Sequence, residues 1–290
     1  MTTPTTAEEP WTILKVLRWT QGRFTERGLR TPRLDAEVLL THVTGKDRVG
    51  LYTHFDQPLA KEELARYREL IRRRLAGEPV AYLVNKQEFW SLSLHVDARV
   101  LVPRADTETL VEHALAWLKG RPAPRVADVG TGSGAIAIAL AHERPDAELF
   151  AVDRSPGALE VARKNAASCD VDVTFLEGDL LSLLSKHAPF DAIVSNPPYI
   201  PDGEFEGLQR EVKQEPREAL LGGKDGLDLI RRLIAGAPAL LGKGGLLAIE
   251  VGDKQAPVVA QLLERAGFVA VATRKDMAGI ERVVSGERAG

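Results

Sequence analysis

The segment Val126-Ala-Asp-Val-Gly-Thr-Gly-Ser-Gly134 runs from an apolar stretch into three alternating glycines, and the apolar run Ala135–His142 follows at once. Val126–Val129 reads as a buried strand and Ala135–His142 as the helix that leaves it. The same texture continues. Leu149–Val152 reads as a strand and Pro156–Ala167 as a helix, with proline placed where the first turn tolerates it, and Val171–Leu176, Ala192–Val194 and Leu246–Val251 read as further strands. Strands alternating with helices predict a mostly parallel sheet covered on both faces. The end departs from that rule, because Val269–Thr273 and Arg282–Ser285 flank Met277-Ala-Gly279 as an antiparallel pair. The fold class expected is α/β, a seven-stranded Rossmann-like sheet.

Upstream the pattern is helical. Trp11, Leu14, Val16 and Leu17 suggest one helix, Asp35 to Leu40 a second, and Leu64, Tyr67, Leu70, Ile71 and Leu75 a third, which Gly77-Glu-Pro79 ends. Leu92–Val96 alternates and Val100–Val102 is apolar, so the two together predict a β-hairpin. The expected organisation is a small helical domain over 1–80, a hairpin linker over 81–105 and an α/β domain over 106–290. Residues 1–80 hold 14 basic and 11 acidic side chains and residues 81–290 hold 24 and 30, a balance of +3 against −6. The total of −3 argues against a broad nucleic-acid field. No apolar run reaches bilayer length, the first ten residues carry no signal-peptide core, Cys169 has no partner, and the six histidines lack zinc spacing. A cytoplasmic monomer without metal, membrane or direct nucleic-acid contact is expected.

Three features fall at successive strand ends, where open α/β sheets bind ligands. Gly130, Thr131, Gly132, Ser133 and Gly134 let a ligand approach the backbone at a helix start. Their G-x-G-x-G spacing lacks the third glycine of the dinucleotide fingerprint G-x-G-x-x-G, and a ligand ending in a zwitterionic amino acid needs less room and less phosphate binding than pyrophosphate. Asp153, 21 residues after Gly132, can accept from two ribose hydroxyls or cap the helix beginning at Pro156. Asp179, with the backbone of Leu180, can read an adenine amino group and ring nitrogen, although Gly-Asp is also a plain turn.

The fourth strand ends Val194-Ser-Asn-Pro-Pro-Tyr199. Two prolines after a strand can be a rigid turn and nothing more. The position of the motif, with Asn196 62 residues beyond Gly134, gives it a chemical reading. An amide nitrogen shares its lone pair with its carbonyl, so methylating it requires that pair to be freed. The Asn196 side-chain oxygen and the Pro197 carbonyl can both accept from an NH₂ group and favour the pyramidal transition state over the planar ground state. Tyr199 can stack on the planar group. No base is needed beforehand, because the alkylated nitrogen sheds its proton readily.

D-V-G-T-G-S-G with N-P-P-Y resembles the class I methyltransferases that modify conjugated nitrogens. Gly77-Glu-Pro-Val-Ala-Tyr-Leu83, Glu88-Phe-Trp90, Leu101-Val-Pro-Arg-Ala-Asp-Thr-Glu108, Glu215-Pro-Arg-Glu-Ala-Leu220, Gly226-Leu-Asp228, Glu250-Val-Gly252 and Arg274-Lys-Asp276 are similar to the bacterial release factor glutamine methyltransferases, over about residues 10–288. The resemblance implies the seven-stranded methyltransferase sheet with a small N-terminal helical domain, and S-adenosylmethionine as methyl donor, leaving S-adenosylhomocysteine. It implies as substrate the glutamine of the Gly-Gly-Gln loop in class 1 peptide chain release factors. Gly130 to Gly134, Asp153, Asp179, Leu180 and Asn196 would hold the cofactor, and Asn196, Pro197, Pro198 and Tyr199 the glutamine amide, with Phe89 and Arg104 at the border. Asn196, Pro197 and Tyr199 would carry the chemistry. The N-terminal helices would touch the release factor. Two positions differ: Val84-Asn-Lys86 stands in place of Thr-Gly, and Ala105 in place of proline. Asn-Lys is closer to the ribosomal protein L3 glutamine methyltransferases, which stay open as an alternative, as does adenine-N6 methylation of DNA. A hydride-transferring dehydrogenase would leave Asn196 unexplained, and a non-catalytic binding module would not need Asn196-Pro-Pro-Tyr199 intact.

Overall fold

The computed structural model describes residues 10–290, which fall into two compact units, one ending at Asn85 and one running from Lys86 to Gly290. The first holds five helices: α1 (Ile13–Glu26), α2 (Pro32–Thr44), α3 (Arg48–Thr53), α4 (Lys61–Leu75) and α5 (Val80–Val84). The Thr12 hydroxyl caps α1 by accepting from the Lys15 N–H at 3.4 Å. Ile13, Phe24, Leu39, Leu40, Leu51, Tyr67 and Ile71 are buried together between the helices. The three helices expected from sequence correspond to α1, α2 and α4. The short α3 and α5 were not expected, being too brief to show a period. Asn85 ends α5 in the left-handed conformation, φ 51°, a backbone that glycine adopts without strain and asparagine more readily than most residues.

The second unit opens on a hairpin, but a different one from that expected. β1 (Gln87–Phe89) pairs with β2 (Leu92–Leu94) in the register Gln87 to Leu94. Trp90 and Ser91 form the turn, both at positive φ, as a two-residue hairpin requires. No glycine or asparagine announces that turn, so the partner strand was misassigned. Residues 100–102 belong to no strand.

A seven-stranded sheet follows. Its strands in chain order are β3 (Arg125–Val129), β4 (Glu148–Asp153), β5 (Thr174–Glu177), β6 (Phe190–Ser195), β7 (Leu241–Glu250), β8 (Phe268–Lys275) and β9 (Glu281–Arg288). In space they run β5-β4-β3-β6-β7-β9-β8. β3 to β7 are parallel, and β9 lies antiparallel between β7 and β8. The expected strand at Val171–Leu176 begins three residues late. Asp170 takes a positive φ and the Val171 N–H returns to the Ala166 carbonyl, 3.2 Å, which spends those residues on ending a helix.

The helices are α6 (Glu108–Leu118), α7 (Ala135–Glu143), α8 (Pro156–Ser168), α9 (Asp228–Gly236) and α10 (Ala256–Arg265). Alternation along the strands sends Ala127, Val129, Ile193, Leu247 and Ile249 to one face, under Ile230 and Leu233 of α9 and Val259 and Leu263 of α10. Val126, Ala192, Val194, Leu246 and Ala248 go to the other, under Leu110 and Val111 of α6 and Ile138 and Leu140 of α7. Each such valine, leucine or isoleucine, fully buried, stabilises the fold by about 1.5–3 kcal/mol. Among the described residues no helix is long and apolar enough to cross a membrane.

Candidate active site

The strand register decides which side chains meet. Val129 pairs with Val152 on one side and Ser195 on the other, and Ser195 pairs with Ile249. The residues after these positions, Gly130, Asp153, Asn196 and Glu250, therefore emerge side by side at the carboxyl edge of the sheet. An open cleft lies there, at the strand ends where open α/β sheets bind ligands. Gly130, Gly132, Asp153, Asp179, Leu180, Asn196, Pro197 and Pro198, all anticipated, line it.

Gly130 and Gly132 have φ of 76° and 55°. A Cβ on either would meet no protein atom within 4 Å, so these glycines form an open cradle. Thr131, Ser133 and Gly134 stand behind it. The Thr131 hydroxyl donates to Asp128 Oδ2 at 2.7 Å, the Ser133 carbonyl accepts from Asn165 Nδ2 at 2.9 Å, and Gly134 heads α7 in left-handed backbone. Asp153 braces the loop from the next strand: its Oδ2 accepts from the Gly132 N–H at 2.8 Å and its Oδ1 from the Ser155 N–H at 2.9 Å. The cap of α8 is Ser155, whose Oγ accepts from the Ala158 N–H at 3.2 Å. Asp179 is ion-paired with Arg232 at the rim.

Asp128 is fully buried, with Oδ1 unpartnered. Burial pushes its carboxyl up to about 7 against the opposing bonds from Thr131 and the Ala137 N–H. A carboxyl in the unfolded chain releases its proton near pH 4, so between about pH 4 and pH 7 the folded chain holds a proton that the unfolded chain has lost. Stability from this group is then full below about pH 4 and declines as pH rises through the window. Asn at this position does not titrate. The melting temperature of Asp128→Asn relative to wild type should rise from pH 5 to pH 8, and a gap independent of pH would place the titration elsewhere.

Asn196 follows β6 with its Nδ2 donating to Thr107 Oγ1 at 3.1 Å. Tyr199 lies behind the two prolines, packed against the buried core, and its hydroxyl turns inward to Glu250 Oε1, 3.4 Å away. Its orientation differs from the expected plate facing the cleft. Burial, together with the neighbouring Glu250 charge, raises the phenol well above its ordinary range. Phe89 is corrected as well: it is 1% exposed and packed among the residues under α6 and α7, because the tight turn after it folds β1 onto the sheet. Arg104 is ion-paired to Glu215, whose other oxygen accepts from the Val102 N–H at 3.0 Å.

Several residues of the site were not anticipated in these roles. Arg99, Val100, Leu101 and Leu229 line the cleft. Thr107 and Glu250 stand behind Asn196, and Glu215 ties the long connection after Tyr199 to Arg104. Glu250 carried one signal, a charge closing the apolar run Leu246–Ile249. Gly226 carried another. With φ 78°, its Cβ would sit 2.1 Å from the Tyr199 carbonyl oxygen. Gly226→Ala should therefore destabilise the chain by more than the roughly 1–2 kcal/mol of left-handed backbone alone, because the N-P-P-Y segment must move. A thermal melt with an activity assay checks this, and a wild-type melting temperature would contradict it.

Residues 15–84 match the PrmC N-terminal domain family and residues 105–224 the methyltransferase small domain family. The release factor glutamine methyltransferase of Geobacter sulfurreducens is 48% identical over 279 residues, covering 96% of this chain and 97% of the relative. That of Rhodopirellula baltica is 44% identical over 98% of this chain and 99% of its own. A methyltransferase from Pyrococcus furiosus shares the fold, with a TM-score of 0.51 at 20% identity over 76% of this chain and 98% of that one. Identity of this extent along both chains, with the glycine cradle and Asn-Pro-Pro-Tyr on adjacent strand ends, places the chain in the release factor glutamine methyltransferase family.

Proposed function

We propose that the chain transfers a methyl group from S-adenosylmethionine to the side-chain amide nitrogen of a glutamine, the one in the Gly-Gly-Gln loop of class 1 peptide chain release factors, acting in the cytoplasm. The observation that carries this reading is the meeting of Asn196 and Pro197 with the Gly130–Gly132 cradle in one cleft. The residues fit the cofactor. The cradle leaves room for its amino-acid end, the Asp153 carboxylate faces the place of a ribose, and Leu180, Leu229 and Pro197 supply apolar walls for a base. Bound there, S-adenosylmethionine supplies an electrophilic methyl group on a positively charged sulfur.

The chain's own task is to make a poor nucleophile react. Asn196 Oδ1 and the Pro197 carbonyl accept from the two amide hydrogens and hold them as the nitrogen pyramidalises, which favours the transition state over the planar amide. The fixed φ of the prolines keeps these acceptors rigid. The donor sulfur would keep the S–C electron pair, and the methylated nitrogen would then lose a proton to water. Tyr199 and Glu250 support this corner from within, while Thr131, Ser133 and Gly134 hold the cradle from behind. Residues 1–80, with their +3 balance, contribute contacts to the release factor.

The test is incubation with a labelled methyl donor and purified release factor, ribosomal protein L3 and DNA side by side. Label on the release factor alone, lost when its glutamine is replaced, is expected. Label on L3 or DNA in its place overturns the proposal.

A further inference from the structure

An asparagine amide has two nearly isosteric ends, one accepting and one donating, and only its partners decide which end points where. The chemistry proposed for Asn196 needs the oxygen toward the cleft. A flipped amide would set one NH₂ against another. Asn196 Nδ2 bonds to Thr107 Oγ1 at 3.1 Å, yet a hydroxyl both donates and accepts, so Thr107 by itself would serve either orientation. What breaks the tie is the destination of the threonine's own hydrogen.

Glu250 stands at the end of β7, 1% exposed, with Oε2 unpartnered and the Tyr199 hydroxyl 3.4 Å from Oε1. The Thr107 hydroxyl faces this carboxyl and is the strongest of the groups favouring its charged form. An ionised carboxylate only accepts. Oε2 is open to a donor; with the Thr107 hydrogen turned to it, the oxygen's lone pairs are left toward Asn196 and admit only the amide's nitrogen.

Resting on the proposed glutamine chemistry, we infer that Glu250 and Thr107 are positioning residues, a one-way chain of donors that runs from Asn196 through Thr107 to Glu250 and holds the Asn196 oxygen toward the cleft. Thr107 and Glu250 are buried, Asn196 opens on the cleft, and all three lie in one unit. Its members come from the start of α6 and the ends of β6 and β7, and the register of Ser195 with Ile249 brings the last two together. Asp106 and Arg282 are the other charged groups facing Glu250, Arg282 favouring its charged form and Asp106 opposing it. When Glu250 holds a proton it can donate to Thr107, the threonine hydrogen is released toward Asn196, and the orientation is no longer enforced. Burial raises the Glu250 carboxyl to about 7, so the acid limb of the rate profile falls near neutrality.

The experiment compares Thr107→Val, Thr107→Ser and Glu250→Gln for methylation of the release factor, with cofactor affinity measured separately by calorimetry. Thr107→Val keeps shape and removes the hydroxyl; kcat should drop about 10-fold while the cofactor Kd stays close to wild type. Thr107→Ser should recover most of the rate. Glu250→Gln can donate to Thr107 at every pH, so it should show a lowered kcat and lose the acid limb near pH 7. Equal losses in the valine and serine variants, or a wild-type rate in Thr107→Val, overturn the inference, as does an acid limb unchanged in Glu250→Gln. Should Glu250→Gln fail to fold, the valine and serine pair decides. A wild-type enzyme that leaves the release factor unmethylated defeats the proposed function itself, a result distinct from any of these.

Discussion

Replacing Asn196 with alanine lowers kcat for glutamine methylation on the order of 10²-fold or more, while binding of S-adenosylmethionine stays nearly intact. The expected split follows from where the side chain acts. Its oxygen meets the substrate nitrogen only as that nitrogen leaves planarity, so the loss falls on the transition state and appears equally in kcat and kcat/KM. The glycine cradle and Asp153, to which the proposal gives the cofactor, are untouched by the change. Single-turnover rates with saturating donor, alongside calorimetry, separate the two effects. Turnover unchanged in this variant would remove Asn196 from the chemistry. A large loss of cofactor affinity with normal turnover would make it a binding residue only.

Asp153→Ala has the opposite signature. A hydrogen bond from a ribose hydroxyl to a carboxylate contributes about 1.5–3 kcal/mol, so losing one should raise the cofactor Kd on the order of 10-fold to 100-fold, with kcat at saturating donor much less affected. The structure adds a second cost, because the Gly132 N–H loses its acceptor at 2.8 Å. Asp153→Asn separates the two, since its amide oxygen can still accept from Gly132 while the charge is gone, and its Kd should fall between those of wild type and alanine. A simple helix-capping role is already weakened, as Ser155 caps α8. Calorimetry showing wild-type affinity in Asp153→Ala would reduce Asp153 to a brace for the loop.

Where the sequence could be read, one local rule fixed the outcome. The parallel strands carry continuous apolar runs, and the glycine turn and Asn-Pro-Pro-Tyr follow directly on two of them, so both motifs were legible at strand ends without knowledge of strand order. Phe89, Tyr199 and the hairpin were not legible in the same way. Whether Phe89 borders a cleft or fills a core depends on how a two-residue turn at Trp90 and Ser91 folds its strand back. Whether Tyr199 faces a ligand or Glu250 depends on a residue 51 positions away.

The amino-acid order alone determined the α/β class, the antiparallel finish and the residues forming the cradle and the proline corner, because periodicity, glycine and proline act within a few residues of chain. Only the tertiary structure decided that β3 lies between β4 and β6, that Glu250 comes to rest beside Asn196, and that Gly226 must yield to the Tyr199 carbonyl. Those outcomes belong to pairing between distant strands and to the space left when they close on one another, and no short stretch of sequence carries that information.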